Sequence, residues 1–402
     1  MSETDDIKAF FENPDLTLIQ IRQLTVVNDD LINRYQNSSQ LLSLETRNSI
    51  PNAVFDETKD VQVINLADSG HNDDDHFLSL FHPETIDRAH AHGFKDVVLE
   101  AGDITNMTDF FDEYVETIDM FKGGQSTVQI EIGDETHSFN ELEYRAHFFG
   151  VIANTYGEAG HLDYDEASRL ARALMETIEY ASERDIRVHA VGAPMQKTYD
   201  YILNIQNQYE QAQAIPEAER LKAHQDILAG FGDRSPIELF VKSFESVQNP
   251  ASRFFDTLSD SERDFVNTAF STLGEERRGG ATINHVTADT IENIINTRKA
   301  EGFSDPKVLH MHGLGHFIQN NDIEDILDNK GIRSETIGFS GSQLTEDFYR
   351  HFNEMADPNE LPEKWFFAPT GQYVNIDEDT IRDVLKTNEP EGIIARLFKN
   401  NP

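Results

Sequence analysis

The chain has 402 residues, with 33 Lys and Arg against 73 Asp and Glu, giving a formal net charge of −40. A surface so rich in carboxylates repels phosphate, which excludes nucleic acid and anionic membrane surfaces as expected partners. With no cysteine in the chain, disulfides, thiolate nucleophiles, iron–sulfur clusters and cysteine-ligated zinc are excluded too, leaving any catalysis to His, carboxylate, hydroxyl, Lys or a metal on N and O ligands.

At 38% hydrophobic with 27 Phe, the chain can bury a substantial core. Met1 to Phe11 lacks the basic and apolar regions of a secretory signal, and no apolar run reaches the roughly 18 residues that a membrane span needs. A cytoplasmic protein is the expectation, with secretion as an effector as the other setting.

Residues 1–58 read as a polar, helical N-terminal segment, with Leu16, Leu18, Ile19, Ile21 and Leu24 on its apolar face. The first strand is Val61 to Leu66, bounded by the turn-like Asp68-Ser69-Gly70. A helix running to Gly93 and a buried strand from Asp96 to Glu100 complete a βαβ unit, so the two strands are expected to be parallel. Thr127 to Phe139 alternates around Gly133-Asp134 as a hairpin does. The helix from Leu162 to Asp185 repeats apolar residues at i, i+3 and i+4, and Ile186 to Val191 resumes the sheet.

Residues 197–300 read as an insertion of helices placed over the sheet or as a lid. It is punctuated by capping boxes at Ser235-Pro236-Ile237-Glu238 and Ser259-Asp260-Ser261-Glu262. A strand at Lys307 to Met311, a helix from about Asn320 to Lys330 stopped by Gly331, and a strand at Ser334 to Phe339 follow. The expected fold is α/β, with a mixed, mostly parallel central sheet flanked by helices and a large helical insertion. The expected division is the N-terminal segment 1–58 and one α/β domain over 59–402.

Open α/β sheets bind ligands beyond the carboxyl ends of their parallel strands. The first strand leads there into Asp68-Ser69-Gly70-His71, the second into Glu100, and the late strand into His310-Met311-His312-Gly313-Leu314-Gly315-His316. A Glu beside two imidazoles supports either of two arrangements. Two neutral His nitrogens and a carboxylate could hold a divalent ion with open positions. Without metal, one His would act as general base, oriented by the carboxylate, while the other stabilised developing negative charge. Both imply hydrolysis.

His76 could join only as a loop ligand, since five residues from His71 it would point elsewhere on a helix. His310 and His312 share a strand face, His310 being the better candidate for a core histidine. His90 and His92 read as surface residues, and His137, His147, His161 and His285 stand isolated. The chain has no phosphate-binding Gly-rich loop with Lys, no dinucleotide fingerprint after the first strand, no Gly-x-Ser-x-Gly elbow and no His-Glu-x-x-His helix. ATPases, dehydrogenases, elbow-type serine hydrolases and zincins are therefore disfavoured.

Three segments carry a family resemblance: Val63 to His71, Ala91 to Glu100 and Val308 to Phe317, with Ile186 to Gly192 as a middle strand. Their order resembles the superfamily that joins erythromycin esterases, ChaN-type haem-uptake proteins, TraB and the Tiki metalloproteases, over about half the chain as scattered blocks. The resemblance implies a hydrolytic site at the sheet edge built on His71, Glu100 and His316, with Asp68 where the esterases place a Glu. The esterase branch implies a His base without metal, the Tiki branch manganese or cobalt, and the ChaN branch haem. The chain departs from the family pattern at Ala67, where Gly is usual, and at His312-Gly313-Leu314-Gly315-His316, where the esterases favour His-Asn-x-His.

The sequence points to a hydrolase of an ester or amide bond in a small-molecule or peptide substrate. His71, Glu100, His316 and Asp68 are its catalytic candidates, and His71, Glu100, His316 and His312 its candidate ligands for manganese, cobalt or zinc. Its alternatives are a haem- or small-ligand-binding protein and an effector with a vestigial site.

Overall fold

The computed structural model describes residues 18, 21–23, 25–43, 48–68, 79–100, 107–133, 135–160, 164–192, 196–232, 234–247, 253–277, 281–313, 316–317, 322–340, 362–367 and 371–375. They fall into two compact units, one over residues 193–283 and a larger one holding 18–102, 106–192 and 284 onward.

The larger unit is built on a seven-stranded sheet of order β5-β2-β6-β1-β7-β8-β9. Its strands are β1 (Val63–Asp68), β2 (Phe94–Glu100), β5 (Arg187–Val191), β6 (Lys307–Gly313), β7 (Ser334–Ser340), β8 (Lys364–Phe367) and β9 (Gln372–Asn375). All neighbours run parallel except β8 and β9. Val63, Ile64, Leu66, Ala67, Val98, Val308 and Leu309 have no exposed surface, as expected of parallel strands covered on both faces. β3 (Val128–Ile132) and β4 (Glu135–Phe139) form the expected hairpin as a separate antiparallel pair. Gly133 starts the reversal at φ 61°.

Helix α1 (Asp29–Ser43) and the short α2 (Asn52–Glu57) precede β1. Helix α3 (Pro83–Ala91) makes the crossover to β2, α4 (Met107–Lys122) follows β2, and α5 (Glu141–Gly160) and α6 (Tyr164–Ser182) lead to β5. Helices α1 and α2 belong to this unit. Tyr35 of α1 meets Phe149 edge to face at 5.8 Å, and Arg34 donates to the Ser168 hydroxyl at 2.7 Å. Helices α11 (Ala281–Ala300) and α12 (Ile323–Asn329) flank β6 in sequence, with Asp322 capping α12 by accepting from the Asp325 N–H at 2.7 Å.

The insertion forms its own helical core from α7 (Gln196–Ala214), α8 (Lys222–Phe231), α9 (Pro236–Val247) and α10 (Asp260–Arg277). Ile202, Phe231, Ile237, Phe265 and Val266 pack together inside it. Its second capping box closes in both directions, Glu262 N–H on the Ser259 hydroxyl and Ser259 N–H on the Glu262 carboxylate. At the first, the Glu238 N–H donates to the Ser235 hydroxyl. Among the described residues no helix is long and apolar enough to cross a membrane.

Two positions yield stability predictions. A Cβ on Gly338 of β7 would stand 2.3 to 2.5 Å from ring atoms of Trp365, a residue 1% exposed whose indole N–H donates to the Pro362 carbonyl. Gly338→Ala is expected to displace the indole and cost about 1–3 kcal/mol. Because Trp365 is the chain's sole Trp, its fluorescence should shift to the red as the urea midpoint falls. Unchanged emission and midpoint would count against this packing.

His147 of α5 is buried, its ring stacked on Phe139 and its Nδ1 donating to the Thr25 carbonyl at 3.2 Å. Burial pushes this imidazole down to about 4, aided by the charges of Arg22 and His137 and opposed by the Thr25 bond. A depressed folded value means that its contribution is complete above the unfolded value near 6.5 and is lost as the pH falls through 4. The loss amounts to about 3 kcal/mol. Urea unfolding of His147→Phe should therefore show a shallower loss of stability than wild type between pH 6.5 and 4, and parallel curves would refute the assignment.

Candidate functional site

Strand β6 slots between β2 and β1, so the ends of two strands remote in sequence become neighbours. Val98 pairs with His310 and Leu99 with Met311, so alternation puts Glu100, the last residue of β2, on the same face as His310 and His312. Ala67 of β1 pairs with His312 from the other side. The chain then continues past Gly313 to bring His316 back over the strand end. The His312 and His316 rings meet edge to face at 4.4 Å.

Glu100, His312 and His316 each offer a ligand atom, all within 4.8 Å of one another, and the group could hold a metal ion. His312 Nε2 lies 3.5 Å from Glu100 Oε1. Two donors each roughly 2.1 Å from a tetrahedral ion stand about 3.4 Å apart, so this pair already has the spacing of shared ligands. Glu100 is one-quarter exposed at its side chain, whereas both histidines are buried. The ring nitrogens and carboxylate are borderline-to-hard donors of the kind that suits zinc, cobalt, manganese or ferrous iron.

The surrounding bonds orient each member. Gly313 N–H donates to Glu100 Oε2 at 3.0 Å, which directs Oε1 toward His312. His316 Nδ1 donates to Asn284 Oδ1 of α11 at 2.7 Å, leaving Nε2 as its ligand atom. His310, fully buried, bonds Asn65 Oδ1 at 2.9 Å through Nδ1 and faces His312 Nδ1 at 3.4 Å through Nε2. Burial pushes its imidazole down to about 3, with Glu100 opposing and His316 reinforcing the shift. His310 is thus a neutral buried histidine that supports the site from beneath.

Of the expected site residues, Glu100 and His316 come together, and His312 stands between them. Asp68 is buried at the end of β1, paired with Gly313 and Phe339. Strand alternation sets it on the opposite face from Ala67 and His312, and it is not in the ligand group. His71 and His76 lie outside the described residues. His90 lies on α3, and His92 caps that helix, bonding the Arg88 carbonyl and Asp56.

Sequence reasoning missed Asn65 and Asn284. A signal existed for the first: an Asn inside a strand otherwise buried on both faces needs a partner, because an unmet amide there is costly. Comparison of the chain with protein-family models, with curated proteins and with solved structures finds no match in any of the three.

Proposed function

We propose that this chain is a metal-dependent hydrolase of ester or amide bonds, working at the C-terminal edge of β2 and β6. The observation that supports it is the meeting of Glu100, His312 and His316, a carboxylate and two imidazoles that lie over two hundred positions apart in the chain. Two of them have their second polar atom already committed to a neighbour, Glu100 to Gly313 and His316 to Asn284.

When bound at such a set, a divalent ion acidifies a coordinated water and polarises a carbonyl. The chain's own part is to aim the donors and keep His310 neutral beneath them. The 4.4 Å between the His312 and His316 rings leaves no space for a macrocycle sandwiched between them, which favours a single ion over haem held by both. The relationship to the erythromycin esterase, ChaN, TraB and Tiki superfamily belongs to the same proposal, supported by the parallel sheet and the place of the site on it. So do a small-molecule or peptide substrate and a cytoplasmic setting.

The test is hydrolysis of chromogenic esters and amides by the full chain. Activity should vanish with chelator, return with zinc, cobalt or manganese, and be absent from Glu100→Gln. Hydrolysis that survives exhaustive chelation would contradict the metal-dependent form, and hydrolysis unchanged in Glu100→Gln would contradict the site.

A further inference from the structure

The bonds beneath the site continue beyond His310 and Asn65. Asn65 Nδ2 donates to the Thr336 hydroxyl of β7 at 3.4 Å, and that hydroxyl donates in turn to the Glu324 carboxylate of α12. The carboxylate at one end sets a single bonding sense for the whole series. A carboxylate at the far end accepts, so Thr336 gives its proton outward and uses its lone pair to accept from the Asn65 amide. The Asn65 carbonyl then accepts from His310 Nδ1–H, which makes His310 Nε2 an acceptor for His312 Nδ1–H.

We propose that this one-directional chain, from His312 through His310, Asn65 and Thr336 to Glu324, locks His312 in its Nδ1–H tautomer and presents its Nε2 lone pair to Glu100 and His316. Thr336 and Glu324 are then positioning residues for a ligand they do not touch. The proposal deepens the metal-centre reading and rests on it for its purpose, but the tautomer itself can be read without metal. Without the chain, His312 would gain by carrying its proton on Nε2, where Glu100 Oε1 at 3.5 Å accepts it. A proton there would have to be displaced before any ion bound.

The experiment compares wild type with Thr336→Val, Thr336→Ser and Glu324→Leu, all as the full chain. Trp365, which pairs with Gly338 two residues along β7 from Thr336, reports that the strand is intact. Long-range 1H–15N spectra of the metal-stripped protein, labelled at histidine, should show protonated Nδ1 and bare Nε2 for His312 in wild type and in Thr336→Ser. In Thr336→Val and Glu324→Leu an Nε2–H population should appear, and zinc affinity should fall by up to about 10-fold, the low end of the loss for removing a group bonded directly to a ligating histidine.

The same tautomer and zinc affinity in all four proteins would overturn the proposal. Glu100→Gln separates the two readings. If it loses zinc while the Thr336 variants match wild type, the metal centre stands and the chain's role falls. If it binds zinc as wild type does, the metal reading fails, and the tautomer spectra alone decide for or against the chain.

Discussion

Replacing His312 with alanine is expected to weaken zinc or cobalt binding by more than about 100-fold, because even the loss of a hydrogen bond supporting a ligating histidine costs roughly 10- to 100-fold. His312 is the central member of the group, with Glu100 Oε1 at 3.5 Å on one side and the His316 ring at 4.4 Å on the other. The measurement is competition against a chromophoric chelator, which ignores the weak sites that 73 carboxylates provide on any such surface. His137→Ala, on the β3–β4 hairpin, should bind as wild type does. Equal affinities for the His312 and His137 variants would remove His312 from the centre.

The second large effect concerns the fold. Asp96 of β2, 1% exposed, is held at Oδ1 by His189 of β5 at 2.8 Å and gripped at both oxygens by Arg298 of α11 at 2.8 and 3.0 Å. Burial raises its carboxyl, and the His189 and Arg298 contacts outweigh that, holding it below the usual carboxylate range. Asp96→Ala strands a histidine and most of a guanidinium in the interior, and breaking a buried pair from one side costs about 3–5 kcal/mol. Urea unfolding at neutral pH should show a loss of that order, with Asp96→Asn losing less because its amide oxygen still accepts. A loss under about 1 kcal/mol for Asp96→Ala would mean that the pair is solvated, as exposed ion pairs are.

The parts of the fold that sequence made legible are those where local pattern and global packing agree. The apolar runs at Val63, Val97 and Val308 lie in strands, and Gly93 and Gly331, at φ 84° and 73°, follow helices where a left-handed residue is needed. What stayed hidden is the pairing. Nothing local says that β6, more than two hundred residues after β2, inserts between β2 and β1, because strand order depends on contacts no window contains. β8 and β9, four residues each, are too short to show a period, and Trp365 finds its place only because Gly338 has no side chain.

The site divides the same way. Topology led to Glu100 and His316, since both follow strands toward the ligand-binding edge. His312 entered only as a candidate ligand and not as a catalytic residue, because alternation alone puts His310 and His312 on one face. The distinction is depth: His310 pairs with Asn65, one step further into the sheet, and spends both nitrogens there, whereas His312 lies beside the strand end where Glu100 and His316 reach it.

The most direct test is X-ray absorption at the metal edge of the full chain loaded with one equivalent of cobalt. With a net charge of −40, stoichiometric binding alone could come from surface carboxylates, but those supply only oxygen. A first shell of nitrogen and oxygen near 2.0–2.2 Å, with outer-shell scattering from at least two imidazoles, is the result predicted for an ion on Glu100, His312 and His316. An oxygen-only shell with no imidazole scattering would contradict it.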